Sequence, residues 1–292
     1  MLVGAIFGSI GAIPLLLLGL FVRETSTPEQ QQSMPFREAM DSAWENVPFR
    51  FAVGLHVLNW SAVDMIAVAF PYFLLYWVAQ GNLLASIHIF GFDLAYESAF
   101  FGVLMSVCIL FVPFWLWVSK VRNKREAYAI GMVFWVAVSL MIYTIQPGQT
   151  TYLLIVAALA GIGVSAAYTL PDAIFADVIE WDELRTGRRR EGIFYGVRTL
   201  IRKLTGALVI FLTLQLLGWS GYVSPPDGVI QFTQSDSALR MIRLLVSPIG
   251  ATIVSGTIIL AWLFPLSREQ YARIQRLLEK RRGQMVEQKS GD

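Results

Sequence analysis

The sequence predicts an all-α membrane protein with about seven transmembrane helices. Three observations carry that expectation. The 292-residue chain is 55% hydrophobic and only 15% charged, and its mean hydropathy is +0.57. A soluble domain carries about 25% charged residues, so this chain has too little polar surface to cover a globule. Seven stretches are long and apolar enough to cross the roughly 20 helical residues of a hydrocarbon core. Lysines and arginines then fall in every second connection between them, which is the positive-inside pattern.

The stretches run over 2–22, 51–78, 95–118, 128–145, 152–175, 193–217 and 244–264. They lack the period-2 alternation of barrel strands. The first has no basic leader and is followed by Arg23-Glu24 rather than a small-residue cleavage site, so it reads as a span and not a signal peptide. Basic connections hold Arg23, Arg37 and Arg50, then Lys120, Arg122, Lys124 and Arg125, then Arg185 and Arg188–Arg190 with Arg198, Arg202 and Lys203 beyond, then the tail. The connections 79–94, 146–150 and 218–239 have no lysine or arginine. This places the C-terminus in the cytoplasm and Met1 outside. Arg240 and Arg243 open the last span on the outer side, where long side chains reach back to the interface.

Two segments carry helical apolar stripes beside polar faces. One is Phe36, Met40, Ala43, Trp44 and Val47; the other is Tyr271, Ile274, Leu277 and Leu278. Either can lie on an anionic leaflet or stand as a solvated helix. The organisation is therefore 1–22, a transmembrane helix; 23–50, a cytoplasmic loop with an amphipathic segment; 51–265, a six-helix bundle; and 266–292, a basic tail.

Several chemistries find no support. Net charge is +2, with no basic footprint for nucleic acid. The lone Cys108 forms no intrachain disulfide, and His56 and His88 lack metal-ligand spacing. Gly161–Ala166 matches a dinucleotide fingerprint, but it lies inside an unbroken apolar run; small residues there serve close helix approach. No phosphate-binding loop, zinc-protease or serine-hydrolase motif occurs. The expectation is a protein that is not an enzyme. A membrane enzyme using Asp172, Asp177 and Lys203 as acid–base groups would need a nucleophile or metal set that the sequence does not offer.

Ionisable residues within spans are costly and usually face a bundle interior or a watery path. Asp64 falls mid-span, Asp172 follows Pro171, and Arg202 and Lys203 lie some ten residues into the sixth stretch. Adjacent on a helix, Arg202 and Lys203 point about 100° apart. In-span Pro14, Pro71, Pro113, Pro171 and Pro248 are compatible with helices bent around a cavity.

"PDAIFADVIEWDELRTGRRREGIFYGVRTLIRKLTGAL", residues 171–208, resembles the helix 10–loop–helix 11 signature of the glycoside–pentoside–hexuronide:cation symporters. These are the melibiose-permease-like branch of the major facilitator superfamily. "WVSKVRNKREAY" resembles that family's short basic loop, and "FPYFLLYWV" resembles the end of its helix 7. Glu180-Trp181 departs from the usual Asp-Tyr, and Asn123 from a usual glycine. The resemblance implies the family's helix 6, its central cytoplasmic loop and its C-terminal six-helix bundle, with the N-terminal half missing or supplied by a second subunit.

It further implies a sugar:cation symporter of the plasma or inner membrane, working by alternating access, with Na+ or H+ as coupling ion and no bound cofactor or metal. The alternatives are a carrier of lysolipids or another solute, or a truncated remnant or membrane interaction protein that does not transport. By resemblance, Lys203, Thr199 and Tyr168 contact substrate. Asp177, Glu183, Arg189 and Arg190 form a cytoplasmic gate, with Asp177 and Arg189 the favoured pair. The family's cation-site acids lie in helices this chain lacks, which leaves Asp64 and Asp172 as local candidates for coupling.

Overall fold

A computed structural model describes residues 2–21, 36–89, 91–187 and 190–265, together with 273, 276 and 277. The chain divides into two compact units, Met1–Glu38 and Ala39–Asp292. In the first, α1 (Leu2–Phe21) is a continuous apolar helix that carries Pro14 without interruption. α2 (Phe36–Glu45), most of which belongs to the second unit, carries part of the first amphipathic stripe: Ala43 is buried and Met40 half-buried, while Trp44, and Val47 beyond the helix end, stay exposed. The second stripe lies outside the described residues apart from Leu277.

The larger unit is an all-α membrane domain. Among the described residues six helices are long and apolar enough to cross a membrane: 47–78, 96–121, 124–142, 150–186, 191–219 and 236–263. In α3 (Val47–Tyr72), Asn46 caps the start, its Oδ1 accepting from Phe49 N at 3.0 Å. A π-helical stretch, Phe73–Val78, follows directly after Pro71. Another, Leu245–Ile249, contains Pro248 and joins α8 (Asp236–Leu244) to α9 (Gly250–Leu263). Proline removes one ladder hydrogen bond and crowds the preceding turn, so a locally wider helix is a natural accommodation.

α4 (Tyr96–Val121) and α5 (Lys124–Ile142) are joined by a two-residue turn. Asn123 caps α5 reciprocally: its Oδ1 accepts from Glu126 N at 2.6 Å, and its Nδ2 donates to Glu126 Oε1 at 2.8 Å. α6 (Thr150–Thr186) and α7 (Glu191–Trp219) complete the set.

α6 packs against α3, α4 and α5; α9 packs against α3 and α5; α7 lies along α3 at the rim. Small residues set the close approaches. A Cβ on Gly161 would fall 2.5 Å from Leu104 O, one on Gly163 2.8 Å from Trp135 Cβ, and one on Gly131 2.4 Å from Ala166 Cβ. Buried polar groups pair across helices, as lipid demands. Tyr128 donates to Asn59 Oδ1 at 3.0 Å, and Asn59 Nδ2 donates to Ala167 O at 3.1 Å, linking α3, α5 and α6.

Two features go beyond the sequence reading. The apolar run ends at Phe175, but the helix continues to Thr186, so Asp177, Asp182 and Glu183 lie in its last three turns. Charge does not stop a helix; Gly187 does, in the left-handed conformation at φ 72°, with its N–H on Glu183 O at 2.8 Å. The cation-free connection 79–94 also folds, forming an antiparallel hairpin of β1 (Ser86–Ile89) and β2 (Phe92–Ala95).

The other long cation-free connection docks beside it, with Leu83 N on Ile230 O at 2.9 Å and Phe232 N on Gly81 O at 3.0 Å. Gly81, at φ 79°, has no room for a Cβ, which would fall 1.9 Å from Phe232 O. At this same end Tyr76 and Tyr222 share a hydroxyl contact of 3.3 Å. Burial and that neighbour push the Tyr222 phenol up to about 12. Arg243 is pinned there too: it lies 4.1 Å from the Trp77 ring centre and 4.2 Å from that of Tyr143, and donates to Tyr143 O at 2.7 Å.

Candidate functional site

Three helices bring the in-span charges together. α3 contributes His56, Trp60 and Asp64, each one turn from the next. α6 contributes Tyr168, Asp172 and Phe175 with similar spacing, and α7 contributes Arg198 and Arg202. The three rows interlock. Arg202 Nη1 lies 2.7 Å from Asp64 Oδ2, and its Nη2 donates to Asp64 Oδ1 at 2.8 Å. The same guanidinium sits 4.7 Å from the Trp60 ring centre, and Trp60 meets Tyr168 edge-on at 5.1 Å.

One turn toward the basic end, Arg198 pairs with Asp172 and lies 4.5 Å from the Phe175 ring centre. Arg198 Nε donates to His56 Nε2 at 3.3 Å. His56 therefore accepts there as a neutral imidazole with its proton on Nδ1. Each half-buried guanidinium thus has a carboxylate and an aromatic face, the combination that makes charge tolerable away from bulk water.

Lys203 differs. It is exposed, and it has no ion pair among the described residues. Thr199, one turn before it, is also exposed, and Tyr168 is 40% exposed. α7 shows two stripes on its open side. Thr199 and Lys203 form a polar one, flanked by Gly192 and Gly196. Leu200, Leu204, Leu208 and Phe211 form an apolar one, 37%, 65%, 54% and 60% exposed. The i, i+4 spacing keeps the two separate along the helix.

A second charged layer sits at the basic end. Lys124 of α5 pairs with Asp177 and donates to Ala173 O at 3.1 Å. Arg190 forks onto Asp182, Nε to Oδ2 at 3.0 Å and Nη2 to Oδ1 at 2.7 Å. Asn46 Nδ2 reaches Asp182 Oδ1 at 3.4 Å, and Arg190 also donates to Ser42 Oγ. These contacts tie the α6–α7 turn to α5 and to the α2–α3 junction. Arg189 lies outside the described residues, and with it the expected Asp177–Arg189 pair. Glu183 is half-buried on α6.

Sequence reasoning missed Asp182, Lys124, Arg198 and Trp60 as parts of these layers. The regular spacing of His56, Trp60 and Asp64 was a readable signal that they share one helix face. Among the described residues no group of three or more His, Cys, Asp or Glu could hold a metal ion.

A family model described as MFS/sugar transport protein matches residues 1–268. An uncharacterized symporter of Synechocystis sp. is 31% identical over 89% of this chain and 46% of its own length. The sodium-dependent lysophosphatidylcholine symporter 1 of Gallus gallus is 25% identical over 92% of this chain and 48% of its own. A putative sulfoquinovose importer of Escherichia coli is 27% identical over 57% of this chain and 34% of its own. The chain spans about half the length of the first two of these relatives. With the matched region covering the whole bundle, the chain belongs to the MFS/sugar transport protein family.

Proposed function

We propose that this chain forms the solute-facing C-terminal portion of a secondary active transporter, a sugar:cation symporter working by alternating access. The observation that supports this reading most is the polar stripe of Thr199 and Lys203 on the open side of α7, a helix whose Arg202 lies against Trp60 of the Trp60–Tyr168 aromatic pair. An ammonium without an acid partner at mid-span calls for water or a ligand. Aromatic faces suit sugar rings, and the ammonium donates to hydroxyls or to an anionic group.

In this reading the other half, from the same polypeptide or a second subunit, closes the cavity over α7. The C-terminus lies in the cytoplasm of a plasma or inner membrane, with the Asp177 and Asp182 layer on that side. Because those acids pair within the bundle, the α6–α7 turn moves as one piece with α5. Gating then lies in how that piece meets its partner half. Na+ or H+ is the coupling ion. Asp64 already holds a guanidinium, so direct coordination there requires Arg202 to swing away; Asp172 is the more exposed acid.

Lysolipid transport is the second reading. It is favoured by the exposed Leu204–Leu208 stripe beside Lys203, which would accommodate an acyl chain while the ammonium holds a phosphate. Equilibrium binding of a radiolabelled glycoside and of lysophosphatidylcholine, each with and without Na+, separates the two. Glycoside binding that depends on the coupling ion, Na+ or H+, and falls at least tenfold in Lys203→Ala is expected. Lysophosphatidylcholine binding alone would favour the second reading, and binding of neither would reject both.

A further inference from the structure

A cleft of about 260 Å³ lies at the basic end, away from α7, between the α4–α5 turn and the end of α9. Arg122, Arg125 and Glu126 form its polar wall, and Ile130, Ala261 and Trp262 its apolar one. We propose that it binds the phosphate headgroup of an anionic phospholipid, with the acyl chains running down the α5–α9 seam.

Two arginines without a carboxylate partner among the described residues meet in this one cleft. Lys124, Arg190, Arg198 and Arg202 each hold a carboxylate. Arg122 and Arg125 have no ion pair among the described residues. Arg125 is nonetheless positioned, because its Nη1 donates to Phe264 O, past the last turn of α9, at 3.1 Å. That bond uses one of five guanidinium N–H donors, and the rest remain for a ligand. Among the described residues Glu126 is the only acid in the cleft wall, and it is held by Asn123, which caps α5 and donates to Glu126 Oε1 at 2.8 Å. The wall therefore carries two arginines against one engaged carboxylate. Two guanidinium forks match phosphate oxygens better than point charges do.

The apolar wall argues for a lipid over a free anion. Ile130 is 46% exposed and Trp262 68%. Below them, Val133 lies one turn further along α5, and Ile259 one turn back along α9, 55% and 61% exposed. The cleft sits where both spans end, at Lys124 and at Leu263. That is the headgroup level, where tryptophan is at home and basic pockets between helices collect anionic lipids. Its volume is below the roughly 300–1,000 Å³ of sites for whole small molecules, which fits a headgroup fragment.

The test is native mass spectrometry of the purified full chain, titrated with phosphatidylglycerol or phosphatidylcholine of equal chain length, with inorganic phosphate and glycerol phosphate as competitors. Retention of phosphatidylglycerol at least tenfold above phosphatidylcholine is expected. It should fall to the phosphatidylcholine level in Arg122→Gln/Arg125→Gln and rise several-fold in Glu126→Gln, which keeps the Asn123 bond. Trp262→Ala, at an exposed position, guards against misfolding and should weaken retention while leaving the charge wall intact. Equal retention of both lipids, or no change in the double arginine variant, overturns the site. Displacement by inorganic phosphate at concentrations matching the lipid overturns the lipid and leaves a soluble anion.

Discussion

α6 and α7 adjoin in sequence and both cross the same layer, yet the most apolar window of α6 is 61% buried and that of α7 only 17%. α6 spends its length on contact. Gly161 and Gly163 let α4 and α5 approach to backbone distance, and Ala166 and Ala167 continue the small-residue surface. α7 touches mainly α3, and it keeps a polar and an apolar stripe open. One helix is a scaffold; in the proposed reading the other is the working face. Substitutions on the first should therefore change stability, and those on the second should change binding.

The largest effect is expected where the two helices are joined. Asp182 has a side chain only 4% exposed, forked by Arg190 at 16%. Asp182→Ala strands that guanidinium, and losing one partner of a buried pair costs about 3–5 kcal/mol. Thermal unfolding in detergent should fall by several degrees or more, and an unchanged midpoint would show that the joint bears little load.

The next effect belongs to the scaffold. Gly161→Val gains roughly 0.5 kcal/mol of helix propensity. Its first added carbon already lies 2.5 Å from the Leu104 carbonyl, a backbone atom that cannot step aside. Overpacking costs about 1–3 kcal/mol, so sterics win and the unfolding midpoint drops. Gly206→Ala on α7 is the informative partner, because its Cβ would meet the tip of Arg202 at 2.4 Å and Asp64 Oδ2 at 3.0 Å. A guanidinium tip yields more readily than a backbone carbonyl, so the midpoint should drop less than in Gly161→Val while ligand binding shifts.

The smallest stability effect is expected at Lys203→Ala, within about 0.5 kcal/mol as for other exposed positions. Its unfolding midpoint should match the parent chain. A large loss would place Lys203 among the packed residues and erase the contrast between the helices.

Much of this fold was readable because lipid imposes a length rule that few other environments do. Runs of about 20 apolar residues announced the spans, and asparagine, serine and glycine marked several ends. Reading stopped where helix and hydrophobicity part company. From Asp177 to Thr186 the chain is polar and still helical, and only Gly187 breaks it. The hairpin was missed because four-residue strands carry too little pattern, although Gly91 at φ 84° marks its turn.

The site was legible as a set of helix faces but not as a set of pairs. Asp64 and Arg202 are 138 positions apart, and His56 and Arg198 are 142 apart. Nothing local assigns one acid to one base at that range. The acids of the α6–α7 region were weighed by resemblance, which drew attention to Asp177 and Glu183. Burial, visible only in three dimensions, singles out Asp182 as well.

The central claim is that the Thr199–Lys203 stripe of α7 faces water while the neighbouring leucine stripe faces lipid. The most direct measurement is labelling of single cysteines by a membrane-impermeant maleimide, in a Cys108→Ser background that leaves no native thiol. Rapid labelling is expected at Thr199→Cys and Lys203→Cys, slowed by bound substrate, and little at Leu204→Cys or Leu208→Cys. Equal labelling of both stripes, or labelling of the leucine stripe alone, would contradict it.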